Sequence, residues 1–245
     1  MSKYLEYIEN VQSIVEKIKT EGAESILKTA EVFKNALKNG NNIYLFGTGH
    51  SHMLAEELFY RAGGLVKIQP IFETELMLHE SASKSTEYER LPGYAERIFK
   101  DYGMKRGDVI VIISNSGRNG VCVDMAQLSK ESGLSVVALT NLNHSKASPS
   151  RHESGKKLFE FADIVLDNMG CVGDASVYFP EINKYAAPTS TSSGAAILNA
   201  VVAGCIEKML EDGFIPEVFS SSNIDGGDAI NEEYINKYKD SIRFL

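Results

Sequence analysis

Ile43-Tyr44-Leu45-Phe46-Gly47-Thr48-Gly49-His50-Ser51 joins an uncharged apolar run to a turn of small and polar residues. The run follows Gly40-Asn41-Asn42, which stops the preceding helical pattern, so it reads as a strand that empties into a tight turn. The same grammar returns at Asp108-Val109-Ile110-Val111-Ile112-Ile113, a continuous β-branched strand covered on both faces, which ends in Ser114-Asn115-Ser116-Gly117-Arg118-Asn119. Shorter strand patterns occupy 65–71, 135–140 and 163–167, with helical patterns over 93–104 and 120–131 between strands. Strand and helix in alternation predict a parallel sheet. The expected fold is α/β: a doubly wound, mostly parallel five-stranded sheet flanked by helices.

Outward from that core, Leu5, Ile8, Val11, Val15 and Ile18 recur at helical steps, and Ala23, Ile26, Leu27, Ala30, Phe33 and Leu37 repeat them after Gly22. Residues 1–39 therefore read as an N-terminal helical hairpin before a core over 40–212. A helix rich in small residues over 194–210 follows the capping run Thr189-Ser190-Thr191-Ser192-Ser193. The remainder, 213–245, is an extension with a turn-rich stretch at 219–228 and a last helix over 229–241. The whole of 1–245 is read as a single domain.

With 245 residues, 43% apolar and 24% charged, the chain is expected to fold. A net charge of −8 argues against nucleic acid as partner. The longest smooth apolar stretch, Ala195–Ile206, is shorter than the roughly 20 residues that cross a bilayer, and the N-terminus has no secretory pattern. A cytoplasmic protein with no membrane partner is expected. Cys122, Cys171 and Cys205 are odd in number and widely spaced, which suggests neither a disulfide framework nor a thiolate metal site.

Open parallel sheets bind ligands beyond the carboxyl ends of their strands, where both polar turns sit. Gly47 and Gly49 permit close backbone approach, N–H groups at a helix start favour an anion, and Ser51 adds a hydroxyl. Ser114, Ser116 and Asn119 offer donors around Gly117, so the pair of turns reads as a cradle for one phosphate. A dinucleotide turn fits poorly, because His52 stands where its third glycine belongs and Gln69 where its ribose-binding acid belongs.

These segments resemble the SIS (sugar isomerase) domain family over about residues 40–212: Gly47–Ser51 is similar to its first phosphate turn and Ser114–Asn119 to its second. More narrowly, the chain resembles bacterial SIS-domain proteins that carry a phosphoheptose isomerase label. Gly49-His50-Ser51-His52 and Ala55-Glu56-Glu57-Leu58 are similar to the Gly-Gly-Ser-His and Ala-Glu-Glu-Leu segments of phosphoheptose isomerases, set closer together here. The resemblance implies substrate-phosphate binding by Gly49, His50, Ser51, Ser114, Asn115, Ser116, Gly117 and Asn119, and a catalytic carboxylate at Glu57. A helical rise puts Glu57 about 9 Å along the axis from Ser51. Glu56 and Glu57 flank the apolar face of Leu54, Leu58 and Ala62 equally, so periodicity leaves both open as the base.

The histidines depart from the phosphoheptose pattern: Met53 stands four residues before Glu57, and no histidine follows His152. His50 and His52, with Glu56 or Glu57, form only a weak metal pattern, so neither a metal nor another cofactor is expected. Glu75–His79 resembles a segment of glucosamine-6-phosphate synthase whose histidine opens the sugar ring in a neighbouring subunit, which implies His79 as a second catalytic residue. Thr191, Ser192 and Ser193 resemble the Ser/Thr cluster that meets the phosphosugar in SIS domains, with plain helix capping as the alternative. Residues 143–157 concentrate His144, Lys146, Arg151, His152, Lys156 and Lys157, and read as a solvated loop or a lid that attracts phosphate.

The implied activity is aldose–ketose isomerisation of a sugar phosphate through an enediolate. Proton removal beside a carbonyl also begins the β-elimination of an N-acetylmuramic acid 6-phosphate etherase, and a non-catalytic phosphosugar sensor is a third reading. The resemblance further implies a homodimer or homotetramer with sites near subunit boundaries.

Overall fold

The computed structural model describes residues 2–245. Five strands, β1 (Ile43–Gly47), β2 (Ile68–Pro70), β3 (Val109–Ile113), β4 (Ser135–Thr140) and β5 (Ile164–Asp167), form one parallel sheet in the order β2-β1-β3-β4-β5. The helices are α1 (Lys3–Glu21), α2 (Ala23–Lys38), α3 (Met53–Leu58), α4 (Ala82–Tyr88), α5 (Tyr94–Asp101), α6 (Gly120–Glu131), α7 (Leu142–Lys146), α8 (Leu158–Phe161), α9 (Ser190–Glu211) and α10 (Gly227–Tyr238). The α/β fold is therefore as expected, with α1 and α2 forming the N-terminal hairpin.

Side chains alternate across the pleat and build two cores. Ile43 and Leu45 of β1, Val109 and Val111 of β3, and Val137 and Leu139 of β4 pack with α1, α2, α3 and α9. Tyr44 and Phe46, Ile110 and Ile112, and Val136 and Ala138 pack on the other face with α5 and α6. Burying each such aliphatic side chain contributes about 1.5–3 kcal/mol, which explains why these strands read as unbroken apolar runs. Ala30 and Gly204 allow α2 and α9 to close up: a Cβ on Gly204 would lie 3.3 Å from that of Ala30.

Four expectations need correction. β2 covers only Ile68–Pro70, because Leu65 instead bridges Val218 from the C-terminal segment. Val66 N–H donates to Glu217, Phe219 N–H to Gly64, and Gln69 Nε2 to Ser241, so residues 213–245 cover the edge beside β2. Residues 175–188 form an unforeseen antiparallel hairpin, β6 (Ala175–Phe179) and β7 (Lys184–Pro188). Helix α9 starts at Ser190 and takes the Ser/Thr run into its first turn; Asp174 caps it, its carboxylate accepting from the Thr189 and Ser190 N–H groups and the Ser190 hydroxyl. At 22 residues α9 is long and apolar enough to cross a bilayer, unlike the shorter stretch read from sequence, but here its Ile197, Leu198, Val201, Val202 and Cys205 lie in the core.

The candidate phosphate cleft and its flanks

The strand order reverses between β1 and β3, and their register pairs Gly47 with Ile113, so the two polar turns leave the sheet at the same height. This is the crevice in which a doubly wound sheet receives ligands. Gly47 brings the chain back on itself: a Cβ there would sit 2.7 Å from the backbone of Ser51. Gly49 adopts φ +56° and starts a 3-10 turn over Gly49–His52 that runs into α3. The first N–H groups of such a turn, those of Gly49 and His50, have no partner inside it, while Ser51 N–H donates to the Thr48 carbonyl.

His50, Ser51 and Asn115 line one cleft together with Asn168 from the end of β5 and Ser190 and Thr191 from the start of α9. Its volume, about 30 Å³, matches one small group and not a whole sugar. Larger hollows of about 680 Å³ beside α1 and about 600 Å³ beside His152 contain no residue of Gly47–Ser51 or Ser114–Asn119. Among the described residues, the hydroxyls of Ser51, Ser116 and Thr191 make no side-chain hydrogen bond, which leaves them available to a ligand. Asn141, Asn168 and Asn115 form a relay at the ends of β4, β5 and β3: Asn141 Nδ2 donates to Asn168 at 2.9 Å, and Asn168 Nδ2 to Asn115 at 2.8 Å. The relay orients Asn115 while leaving its amide nitrogen unengaged by these bonds.

Other residues named from sequence serve the turns themselves. Ser114 is buried and its Oγ accepts from Gly117 N–H at 3.1 Å. Gly117, at φ +57°, is packed so that a Cβ would meet Leu158, Ser145 and Thr140. Asn119 donates to Glu89 at 2.7 Å and accepts from Arg151 at 3.1 Å. Ser192 and Ser193 donate to the Thr189 carbonyl, so of the Ser/Thr cluster it is Thr191, with Ser190, that reaches the cleft. The 143–157 loop is pinned, Arg151 N–H donating to the Arg118 carbonyl and His152 Nε2 lying 2.7 Å from Asp124.

Glu56 and Glu57, equivalent by periodicity, have different surroundings. Glu57 is half-buried; its Oε1 accepts from Asn199 of α9 at 2.9 Å and pairs with Arg61. Glu56 is exposed and its Oε1 lies 3.3 Å from His52 Nε2. His79 lies beside His52, with ring centroids 5.1 Å apart and planes tilted by 57°, and neither it nor Glu57 is among the residues that line the cleft. Cys122 and Cys205 are buried, and burial pushes both thiols up to about 12, so neither serves as a nucleophile.

Glu89, at the end of α4, went unnoticed in the sequence and joins the two turns. Its carboxylate accepts from Thr48 Oγ1 at 2.9 Å on the first and from Asn119 Nδ2 at 2.7 Å on the second. Burial raises its pKa above the usual 4.5, against the Thr48 hydrogen bond, which lowers it. With a native pKa above the unfolded one, this carboxyl's contribution to stability is complete below 4.5 and is lost as pH rises through the raised value. Glu89→Gln accepts from Asn119 through its oxygen and can donate through its amide nitrogen to the Thr48 hydroxyl, and it removes the titration, so its melting temperature should fall less than that of the parent over this range. Equal slopes in thermal melts across pH would sink that reading; Glu89→Ala, which strands Asn119, should cost about 1–3 kcal/mol.

This parallel sheet, with polar turns leaving it at the strand-order reversal, is that of a doubly wound α/β protein. The chain belongs to the SIS domain family, whose model matches residues 6–141. Its relatives include a UPF0309 protein from Shouchella clausii, 42% identical over 246 residues and 100% of both chains, and one from Geobacillus sp. strain WCH70, 44% identical over 98% of this chain and 97% of the relative. Among solved structures, a phosphoheptose isomerase from Francisella tularensis is similar with TM-score 0.50, 18% identity, and coverage of 84% of this chain and 100% of that one. The Vibrio vulnificus NanR protein complexed with ManNAc-6P gives TM-score 0.52 at 18% identity, covering 96% and 67% of the two chains. At these identities the structural likeness establishes the common fold.

Proposed function

We propose that the chain binds the phosphate of a sugar phosphate in the β1–β3 cleft and isomerises the sugar between aldose and ketose forms. The observation that carries this reading is the convergence of Ser51, Asn115 and Thr191 on one cleft at the strand-order reversal, with Ser116 unpartnered on the second turn. Glu57, one helix away, is the base: it takes the proton beside the carbonyl, and the enediolate is reprotonated on the neighbouring carbon. The phosphate subsite holds only the phosphate, so the sugar extends outward past the exposed His50 and Thr191.

A non-catalytic sugar-phosphate sensor is the second reading, favoured by one observation: Glu57 is held by Asn199 and Arg61 and does not line the cleft. The relatedness in fold to a ManNAc-6P complex is compatible with it. We expect the protein to act in the cytoplasm as a homodimer or homotetramer. Exposed Tyr4, Leu5 and Ile8 on α1 and Tyr178, Ile182 and Tyr185 around the β6–β7 hairpin support a second copy packing against the chain.

The test is a thermal-shift screen against aldose, ketose, amino-sugar and muramic acid phosphates, with Ser116→Ala alongside. A ligand at a hundredfold excess over its dissociation constant stabilises the fold by about 2.7 kcal/mol. A hit lost in Ser116→Ala supports the cradle and supplies the compound for isomerisation and lactate-release assays, the latter reporting etherase chemistry. A hit that Ser116→Ala retains in full would remove the Ser116 hydroxyl from the phosphate contacts, and one that Ser51→Ala also retains would move the phosphate out of this cleft.

A further inference from the structure

On the flank of the first turn, His52, Glu56 and His79 bring two imidazoles and a carboxylate within 4.8 Å of one another, atom to atom. His52 is only 3% exposed, on the 3-10 turn over Gly49–His52; Glu56 lies one helical turn on in α3, and His79 precedes α4. The Nδ1 of His52 is committed to the Gly49 carbonyl, which fixes that nitrogen as the N–H donor and turns the lone pair of Nε2 toward Glu56 and His79. That Nε2 is buried without a hydrogen-bond partner: Glu56 Oε1 is 3.3 Å away but out of alignment. A buried polar atom left unpaired costs about 1–3 kcal/mol, so its persistence calls for a partner that accepts a lone pair.

We infer that His52, Glu56 and His79 form a binding site for a zinc-class divalent transition-metal ion. Bonds of about 2.0–2.1 Å in a tetrahedron separate adjacent ligand atoms by about 3.3–3.4 Å. The His52–Glu56 pair, at 3.3 Å, already spans such an edge. His79 and Glu56 are both exposed, so side-chain rotation can bring the third ligand in from within 4.8 Å without disturbing the core. Two imidazoles and one carboxylate select zinc, cobalt or iron over magnesium or calcium, which demand oxygen ligands. The Gly49 carbonyl on the far nitrogen of His52 is the outer partner that orients a ligating imidazole and raises its basicity.

Three protein ligands leave a tetrahedral position for water or another donor. The ion ties the segment that carries His79 to the same turn that carries His50 and Ser51, so it braces one wall of the cleft from behind. This gives the two histidines of the HxH pair separate duties: His50 lines the cleft and His52 turns away from it. It also assigns His79 to the metal and not to ring opening.

The site stands apart from the sugar-phosphate reading, because the probe is the metal alone. Chelator-stripped protein is titrated with Co(II) and Zn(II) by equilibrium dialysis, visible absorption and thermal shift. We expect one equivalent per chain, a tetrahedral Co(II) spectrum displaced by zinc, and a raised melting temperature. Glu56→Gln and His79→Ala, at exposed positions that leave the fold intact, should each weaken binding by at least about tenfold, while His50→Ala leaves it unchanged. No saturable binding to the parent chain overturns the site. So does binding that survives both Glu56→Gln and His79→Ala, or that depends on His50 instead, which would mark a surface histidine pair.

Discussion

Glu57→Gln should lower turnover of the sugar phosphate by roughly 10²–10⁴-fold, the usual share of a general base, while the ligand-induced thermal shift stays in place. The amide cannot take a proton, yet its oxygen still accepts from Asn199 Nδ2, so the side chain keeps its position against α9. The Arg61 ion pair is lost, but at 45% side-chain exposure for Arg61 such a pair is worth about 0–1 kcal/mol, too little to explain a collapse of activity. Glu56→Gln is the comparator. Equal turnover in Glu57→Gln and the parent would remove Glu57 from the chemistry, and a loss confined to Glu56→Gln would transfer the base to the neighbouring carboxylate. Binding with no turnover in the parent itself would select the sensor reading.

The elements that sequence patterning found are those whose neighbours are dictated by burial alone. β1, β3 and β4 are covered on both faces, so each reads as an apolar run, and each ends in polar residues that cannot continue it. β2 was overestimated because Leu65 and Val66 are as apolar as a strand requires, while what they pair with is Val218 and Glu217, far along the chain. The β6–β7 hairpin escaped because little of it is buried: Lys184 and Tyr185 are exposed, and no period of two marks it out. It also contains two non-glycine residues at positive φ, Asn183 and Ala187, of which only the asparagine is a conventional turn signal.

The candidate site was legible to the same degree. Ser51 and Asn115 were visible because they sit in glycine-punctuated turns at strand ends. Asn168 follows the same rule, in Asp167-Asn168-Met169-Gly170 after β5, but its strand is short and the turn holds one glycine and no serine, so it carries a weaker signal than the other two. Glu89 lies in the polar helix-end Tyr88-Glu89-Arg90, where a carboxylate looks solvated; only tertiary structure brings it to Thr48 and Asn119. His52 posed the opposite problem. Two residues from His50, it reads in sequence as half of a weak HxH metal pattern, whereas the 3-10 turn sends it inward and leaves His50 exposed.

Gly47 and Gly49 look interchangeable in the sequence, and their alanine variants should behave differently. At Gly47 a Cβ would sit 2.7 Å from the carbonyl carbon and oxygen of Ser51 and 2.9 Å from its Cβ, so the chain of the first turn must move. Overpacking against backbone costs about 1–3 kcal/mol, and the displaced atoms include Ser51, a cleft residue. Gly47→Ala should therefore lose both stability and the ligand-induced thermal shift. At Gly49 nothing lies within 4 Å of the built Cβ; the only obstacle is φ +56°, a conformation that costs a side chain about 1 kcal/mol. Gly49→Ala should melt slightly lower and still respond to ligand, if more weakly. Chemical denaturation of both variants, with and without the screen's best ligand, separates steric displacement of the cradle from simple backbone strain. Gly47→Ala with parent-like stability and ligand response would mean that the return of the chain at Gly47 does not build the cleft.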